Sequence, residues 1–181
     1  LPLQHAHPAV LRRMRRPANM RALRRNLEAL RTALPGLALR STFIVGYPGE
    51  TEKEFAALLD FVEEIQFDRL GVFTYSCEIG TPAAELGDPV PAAVKEERRR
   101  RLMELQETIS LAKNQALIGQ TLRVLVEGCH NGLSVGRSYR DAPEVDGLVI
   151  LDTEAPVGAM VTARITGALT HDLTGSVVSA A

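Results

Sequence analysis

Cysteine is scarce in this sequence, which contains only Cys77 and Cys129 among its 181 residues. The two are isolated from each other, so their spacing supports neither a disulfide framework nor a CxxC-type metal knuckle. We therefore expect two ordinary thiols.

Long apolar runs are also missing. No window approaches the roughly 18 consecutive apolar residues that a membrane span needs, and the first residues do not have the pattern of a secretory signal. A cytoplasmic location is the resulting expectation. The hydrophobic fraction of 45% is sufficient for a packed core, and the length allows one domain or one and a half. Because the sequence opens on Leu1 and not on Met, we expect a fragment of a longer protein.

Charge is distributed unevenly along the chain. Residues 1–40 carry nine arginines and a single acidic residue, Glu28, whereas residues 41–116 have a net charge of −6 and residues 117–181 a net charge of −3. A basic block of this kind is typical of a nucleic-acid surface, but the arginines can equally be solvated or neutralised within the protein. Both interpretations stay open at this point.

The most informative stretch is residues 40–51. Phe43, Ile44 and Val45 form a short apolar run typical of a buried strand, the glycines and proline of Gly-Tyr-Pro-Gly predict a sharp turn, and Thr51 with Glu54 forms a capping box. This is half of a βα unit. Small ligands in α/β folds bind at the carboxyl ends of the strands, so the turn is the first place to expect a site.

Apolar periodicity predicts the remaining elements. Helices are expected from Pro8, from Asn19 to Leu34, from Thr51 to Gln66 and from Pro91 towards Gly119, with a strand at 70–75 and the end of another at 1–5. Five short strands follow, at 121–127, 133–140, 148–151, 159–168 and 176–179. The sequence thus predicts an α/β part at 1–117, a bridging long helix, and a small antiparallel barrel of OB-like size at 118–181.

Few residues indicate chemistry by themselves. The GYPGET turn lacks the lysine of a P-loop and the spacing of GxGxxG, so an anion or nucleotide at the helix start is a weak hypothesis. His5 is an acid–base or ligand candidate, but a lone histidine is more often a local hydrogen-bonding residue. Glu50, Glu52 and Glu54 are best interpreted as helix-dipole and capping acids, and residues 95–101 as a solvated helix face.

Several motifs together resemble one family. These are LPLQH, STFIVGYPGET, FDRLGVFTYS, GTPA and above all GRSYRDAPEVDG. With them the whole chain looks like the radical AdoMet methylthiotransferases. GRSYRDAPEVDG is similar to the RimO branch, whose members methylthiolate an aspartate of the twelfth small-subunit ribosomal protein.

The resemblance implies a three-part parent, with a cluster-binding domain, a TIM-like partial radical AdoMet barrel and a TRAM domain. This chain would hold the later barrel strands and the TRAM domain. The cysteines that bind the two [4Fe-4S] clusters of the family have no counterpart here, because a cluster needs grouped thiolates and the chain has two isolated ones. We expect no metal site in the chain and no turnover by these residues alone.

Five residues are implied as contacts of S-adenosyl-L-methionine (AdoMet). Gln4 would contact the ribose, and Arg16 the methionyl carboxylate, a role suited to a bidentate guanidinium. Thr42 would face the ribose, Ile44 would lie against adenine on the same face of the strand, and Ser76 would close the pocket. Thr42 departs from the acidic residue common in relatives. No catalytic residue is implied.

The partner expected from the resemblance is the basic ribosomal protein. A net charge of −3 in residues 117–181 is unfavourable for binding phosphates and complements a basic protein, with Asp141, Glu144 and Asp146 as the candidate contact face. Two alternatives stay open. The basic block of residues 1–40, with a net charge of +8, is compatible with a tRNA methylthiotransferase of the MiaB kind. The missing cysteines are compatible with a non-enzymatic nucleic-acid or protein binding module.

Overall fold

The computed structural model describes residues 1–180. The chain divides into two compact units, one formed by residues 1–106 and one that begins at Glu107. The division falls inside the longest helix. A domain boundary near residue 118 stays a prediction.

The first unit alternates helices with two strands. In chain order its elements are α1 (Pro8–Arg13), α2 (Met20–Ala33), β1 (Arg40–Val45), α3 (Glu52–Ile65), β2 (Arg69–Thr74), a 3-10 turn (Ala84–Leu86) and α4 (Ala92–Gln115), which continues into the second unit. Of the strand expected at 1–5, the structure contains a single bridge between Gln4 and Phe43.

Local chemistry explains where the helices begin. Asn19 accepts the Ala22 N–H at 3.0 Å and caps α2. The predicted capping box of α3 is confirmed, since Thr51 Oγ1 accepts the Glu54 N–H at 3.3 Å and the Glu54 carboxylate accepts the Thr51 N–H at 2.8 Å. These hydrogen bonds therefore hold the end of the preceding turn, where the turn joins α3.

Strands β1 and β2 pair in parallel with α3 as their crossover, so the predicted βα unit is part of a βαβ unit. One face of the sheet packs on an aromatic core in which Phe43 makes edge contacts with Phe61 and Phe67, with ring centroids 6.5 and 5.8 Å apart. The residues on either side of Phe43 in β1, Thr42 and Ile44, lie on the opposite face and are half-buried. The described residues of the first unit therefore cover that face only in part.

The prediction of a solvated face for residues 95–101 is wrong at two positions. Lys95 and Arg98 are 6% and 5% exposed, whereas Glu96, Glu97 and Arg100 are exposed. Lys95 and Arg98 lie on the same side of α4 as the fully buried Leu102, which the helical repeat places one turn beyond Arg98. Each cation is buried because it has polar partners, as described below.

The second unit contains a closed five-stranded barrel. Its strands are β3 (Thr121–His130), β4 (Leu133–Ser138), β5 (Val149–Leu151), β6 (Met160–Ala168) and β7 (Leu173–Ala180). Their order around the barrel is β3-β4-β5-β7-β6. All neighbours are antiparallel except β5 and β7, which run parallel, so the expected antiparallel barrel has one exception.

The barrel interior is aliphatic. Val124, Val149, Leu151 and Ala163 are fully buried there, and alternate residues of β3, β5 and β6 supply most of this core. Within residues 1–180, no helix combines the length and apolar character needed to cross a membrane.

Candidate functional site

The carboxyl ends of β1 and β2 meet at one edge of the sheet. The Tyr75 N–H donates to Val45 O at 2.9 Å, so the residues that follow the two strands, Gly46 and Tyr75, leave the sheet side by side. This is the edge at which the sequence predicts a site.

Three of the five predicted cofactor contacts come together at β1. The Gln4 N–H donates to Thr42 O at 2.9 Å, and the Ile44 N–H donates to Gln4 O at 2.8 Å. Gln4 has a left-handed backbone with φ of 71°, and its Oε1 is buried without a hydrogen-bond partner in the described part of the chain. A buried acceptor of this kind is costly unless something donates to it.

Strand register extends this surface onto β2. Thr42 lies beside Gly71 and Ile44 beside Phe73, whose side chain is 61% exposed although it is in mid-strand. A Cβ at position 71 would lie 3.8 Å from Thr42 Oγ1. We call Thr42, Ile44, Gly71 and Phe73 the open sheet face. Sequence reasoning missed Phe73, although the period-2 alternation from Gly71 is the signal that places it there.

The other two predicted contacts lie at the margin of this face. Arg16 is exposed, and its Nη1 donates to Pro2 O at 3.2 Å, two residues before Gln4. Ser76 is also exposed, and its hydroxyl donates to Glu78 Oε1 at 3.0 Å. These hydrogen bonds direct both side chains to local partners and not to the other three predicted contacts.

A buried polar network holds the turn after β1. The Glu50 carboxylate accepts the Gly46 N–H at 3.0 Å through Oε2 and Arg98 Nη1 at 3.0 Å through Oε1. His5 Nε2 lies 3.4 Å from Glu50 Oε2, and both side chains are fully buried. Glu50 is thus a turn-fixing residue, beyond the helix-end role expected for it. His5 Nδ1 accepts the His7 N–H at 2.9 Å, which is a local hydrogen bond of the kind that the simpler hypothesis expects.

Gly46 is required at this turn for two reasons. Its φ is +72°, which disfavours other residues, and a Cβ here would lie 2.3 Å from Cγ of Lys95. Lys95 Nζ in turn donates to Tyr75 O at 2.9 Å and to Asp88 at 2.6 Å. The close approach of α4 to the turn therefore disfavours every side chain at position 46.

Two tyrosines line the inner side of the same edge. Tyr47 and Tyr75 pack with ring centroids 5.3 Å apart, and Ile44 packs against the cluster that they form with Val10. Burial raises the pKa of Tyr75 above its ordinary value, and neighbouring Cys77 adds to the rise. Tyr75 therefore stays neutral at physiological pH.

Glu54 forms a second ion pair near the turn. Both of its oxygens accept hydrogen bonds from Arg13, each at 3.0 Å. Burial opposes ionisation, but the hydrogen bonds from Arg13 and Thr51 outweigh it and lower the pKa from 4.5 to about 2. This bidentate pair ties α1 to the start of α3.

No set of metal ligands exists within residues 1–180, where no group of three or more histidine, cysteine, aspartate or glutamate side chains could hold an ion. Cys77 and Cys129 are exposed free thiols. An iron–sulfur cluster does not fit this chain.

The acidic segment of the second unit is a loop after β4. Asp141 Oδ2 accepts the Ser138 hydroxyl at 2.7 Å, and Asp146 Oδ2 accepts the Ala142 N–H at 2.6 Å. Glu144, by contrast, is exposed with φ of 60°. Two of the three predicted contact acids therefore shape the loop, and Glu144 presents its charge to solvent.

A buried arginine, which the sequence analysis did not identify, also anchors this loop. Arg140 is 6% exposed, and its Nη1 donates to Asn114 Oδ1 at 3.3 Å. Gly147 ends the loop where a Cβ would lie 1.9 Å from His171 O. The loop is held at both ends, and its middle exposes Val145 with 74% of its surface accessible.

Both a family model and several known proteins are similar to this chain. The family model described as TRAM domain matches residues 118–178. Proteins named "Ribosomal protein uS12 methylthiotransferase RimO" are similar over almost the whole chain. The relative from Chloroflexus aurantiacus is 53% identical over 99% of this chain and 40% of its own length. The relative from Roseiflexus sp. is 54% identical over 99% and 39%, and one from Thermus thermophilus is 54% identical over 97% and 41%.

The chain thus spans about two fifths of the length of the curated relatives it matches. Over almost its whole length the chain is thus similar to part of the RimO methylthiotransferases, and its residues 118–178 match the TRAM domain family.

Proposed function

We propose that this chain is part of an enzyme that methylthiolates the β-carbon of an aspartate in ribosomal protein uS12 by radical AdoMet chemistry, in the cytoplasm. The observation that carries the proposal is the 53% identity to a RimO relative over 99% of the chain. In this proposal β1 and β2 are late strands of a partial radical AdoMet barrel. Their parallel pairing supports it, and Ile44 lies next to the carboxyl end of β1, the end of the strands at which α/β barrels bind their ligands.

The residues at β1 fit AdoMet. Gln4 Oε1 is a buried acceptor that lacks a donor among the described residues, and a ribose hydroxyl would supply one. Thr42 offers a hydroxyl beside the space above Gly71, and Ile44 offers an apolar surface for adenine. Arg16, held near Pro2, would reach the carboxylate, and Ser76 would border the pocket.

The chain's own residues bind and orient, and they do not supply the radical. When bound, AdoMet and a [4Fe-4S] cluster would supply the radical that removes hydrogen from the substrate carbon. Because the described residues hold no cluster ligands, both clusters would lie in another part of the parent. These residues alone are expected to be inactive.

The acidic loop of the TRAM domain is the proposed contact for the basic substrate protein. Glu144 is exposed beside Val145, so the loop offers charge and apolar surface together, while Asp141 and Asp146 keep its shape. Complementary charge of this kind favours encounter and register.

A chimera tests the proposal. The corresponding residues of the Thermus thermophilus relative are replaced by this chain, the clusters are reconstituted, and uS12 is analysed by mass spectrometry for one added methylthio group. Ile44→Asp is expected to abolish the product and to weaken AdoMet binding in equilibrium dialysis, because a carboxylate replaces the adenine surface. Ile44→Val, which keeps an apolar side chain, serves as the matched control.

Two results would contradict the proposal. One is an unmodified uS12 with a chimera that binds AdoMet and both clusters. The other is a methylthio group on tRNA and none on uS12, which would favour the alternative of a tRNA enzyme.

A further inference from the structure

Most of the nine arginines of residues 1–40 fall into two structural groups. In the first, the guanidinium groups are neutralised or fixed within the first unit. Arg13 binds Glu54, Arg24 Nε binds both oxygens of Glu64 at 2.9 and 2.8 Å, and Arg31 Nη2 donates to Gln66 O at 2.7 Å. These three arginines attach α1 and α2 to α3.

The second group faces solvent. Arg12, Arg15, Arg21 and Arg25 are exposed, and in the part of the chain that the structure describes their guanidinium groups meet no carboxylate. We call these four residues the arginine surface. Arg21 and Arg25 are separated by one helical turn and lie side by side on α2, an arrangement that like-charge repulsion makes unfavourable without a ligand.

Arg15 provides an independent observation. The Arg16 N–H donates to Leu11 O at 2.8 Å and the Arg15 N–H donates to Arg12 O at 3.0 Å, which is the Schellman arrangement at the end of α1. Arg15 occupies its left-handed position with φ of 54°, where glycine is the favoured residue. An arginine there is strained relative to glycine, and within the described residues no ion pair of its exposed side chain offsets that strain.

The chemistry of the surface favours phosphate as its ligand. The segment contains nine arginines and no lysine, and the planar guanidinium fork matches phosphate oxygens. A membrane surface is less suitable, because the buried side of α2, with Met20 and Leu27, faces the protein, which leaves no apolar stripe beside Arg21 and Arg25 to insert between lipids.

We propose that the arginine surface binds the phosphate backbone of a structured RNA. The choice of RNA over DNA rests on the proposed function, since a ribosomal protein is met beside ribosomal RNA. The first unit would then hold the RNA while the acidic loop of the TRAM domain binds the protein. The two opposite charges of the chain thus serve two different parts of one ribonucleoprotein.

Fluorescence anisotropy with a labelled RNA hairpin tests this. The chain is compared with two double variants of equal net charge, Arg21→Gln with Arg25→Gln, and Arg99→Gln with Arg100→Gln. Arg99 and Arg100 are exposed arginines of α4 that already pair with Glu96, Glu97 and Glu104. We expect the α2 variant to bind about tenfold more weakly and its salt slope to fall by about 2, because each lost phosphate contact removes about one unit. The α4 variant should bind like the parent.

Equal weakening in both double variants would reduce the effect to net charge and overturn the proposal. So would tighter binding to a DNA hairpin of the same sequence, or binding to phosphatidylglycerol vesicles without binding to RNA. Binding of uS12 is measured in parallel. Arginine variants that lose RNA but keep uS12 support this surface, whereas loss of uS12 on Glu144→Lys concerns the proposed function alone.

Discussion

The two units of this chain stabilise themselves in different ways. The first buries charged side chains, among them Glu50, Glu54, Lys95 and Arg98, around an aromatic core. The second has an aliphatic core of valine, leucine, isoleucine and alanine, keeps its buried cation Arg140 beside the acidic loop and outside that core, and uses its acids as acceptors at loop ends. Buried charge is a weak source of stability but a strong constraint on geometry. Buried charges therefore constrain the geometry of the first unit, where the cofactor site is proposed. In the second unit, apolar packing holds the barrel together.

The largest expected effect is in the first unit. Arg98→Met leaves Glu50 buried without its cation and should lower the free energy of unfolding of this unit by about 4 kcal/mol. Hydrogen exchange followed by mass spectrometry, read on peptides of β1 and α3, measures it. Arg100→Met removes an exposed arginine of the same helix and should change nothing measurable. Similar protection in both variants would remove the distinction between the units.

The next effect is in the barrel. Leu151→Ala creates a cavity at a fully buried site and should cost about 3 kcal/mol, measured by exchange on peptides of β5 and β7. Leu133→Ala, at a position that is 45% exposed, is the control. A loss that depends strongly on salt would show that charge also stabilises the barrel, contrary to the comparison.

A smaller effect depends on pH. The folded-state pKa of Glu54 is lowered to about 2, so its stabilisation is present above pH 4.5 and is lost as the pH falls towards 2. Because Glu54 becomes protonated over this range, we expect the free energy of unfolding of the first unit to fall by roughly 2 kcal/mol. Urea midpoints at pH 5 and pH 2.5 measure the loss, and Glu54→Gln should flatten it. An unchanged slope in that variant would assign acid sensitivity to other carboxylates.

In the smallest expected effect, the stability of the first unit and its RNA binding change in opposite directions. Arg15→Gly relieves the left-handed strain and should raise the stability of the first unit by about 1 kcal/mol while it weakens RNA binding. Arg12→Gly removes the same charge from inside α1 and should lower stability by about 1 kcal/mol. Urea unfolding followed by circular dichroism separates the two variants. A destabilised Arg15→Gly would show that the side chain has a structural role.

Much of the fold is predictable from local patterns. The structure contains the predicted capping box at Thr51, the strand around Ile44 and the five short strands. Each of these depends on residues that are close to one another in sequence. The parallel pairing of β5 with β7 is not predictable in this way, because it joins residues far apart in sequence and depends on barrel closure.

The candidate site also combines features that local sequence predicts with features that depend on tertiary contacts. The shared face of Thr42 and Ile44 follows from the strand period and is confirmed, whereas their contact with a cofactor stays a prediction. The burial of Lys95 and Arg98 was missed because their charge suggests solvent. Only the tertiary partners, Tyr75 O and Glu50, make their burial tolerable.

The position of β7 has a consequence for synthesis. This strand follows β3, β4, β5 and β6 in sequence, yet it lies between β5 and β6 in the barrel. The barrel cannot close until β7 has left the ribosome, whereas β1, α3 and β2 can pair much earlier in translation. During that interval the edges of β5 and β6 that β7 will join are open. A pause in translation before residue 173 would therefore prolong the period in which the unclosed barrel is exposed to aggregation.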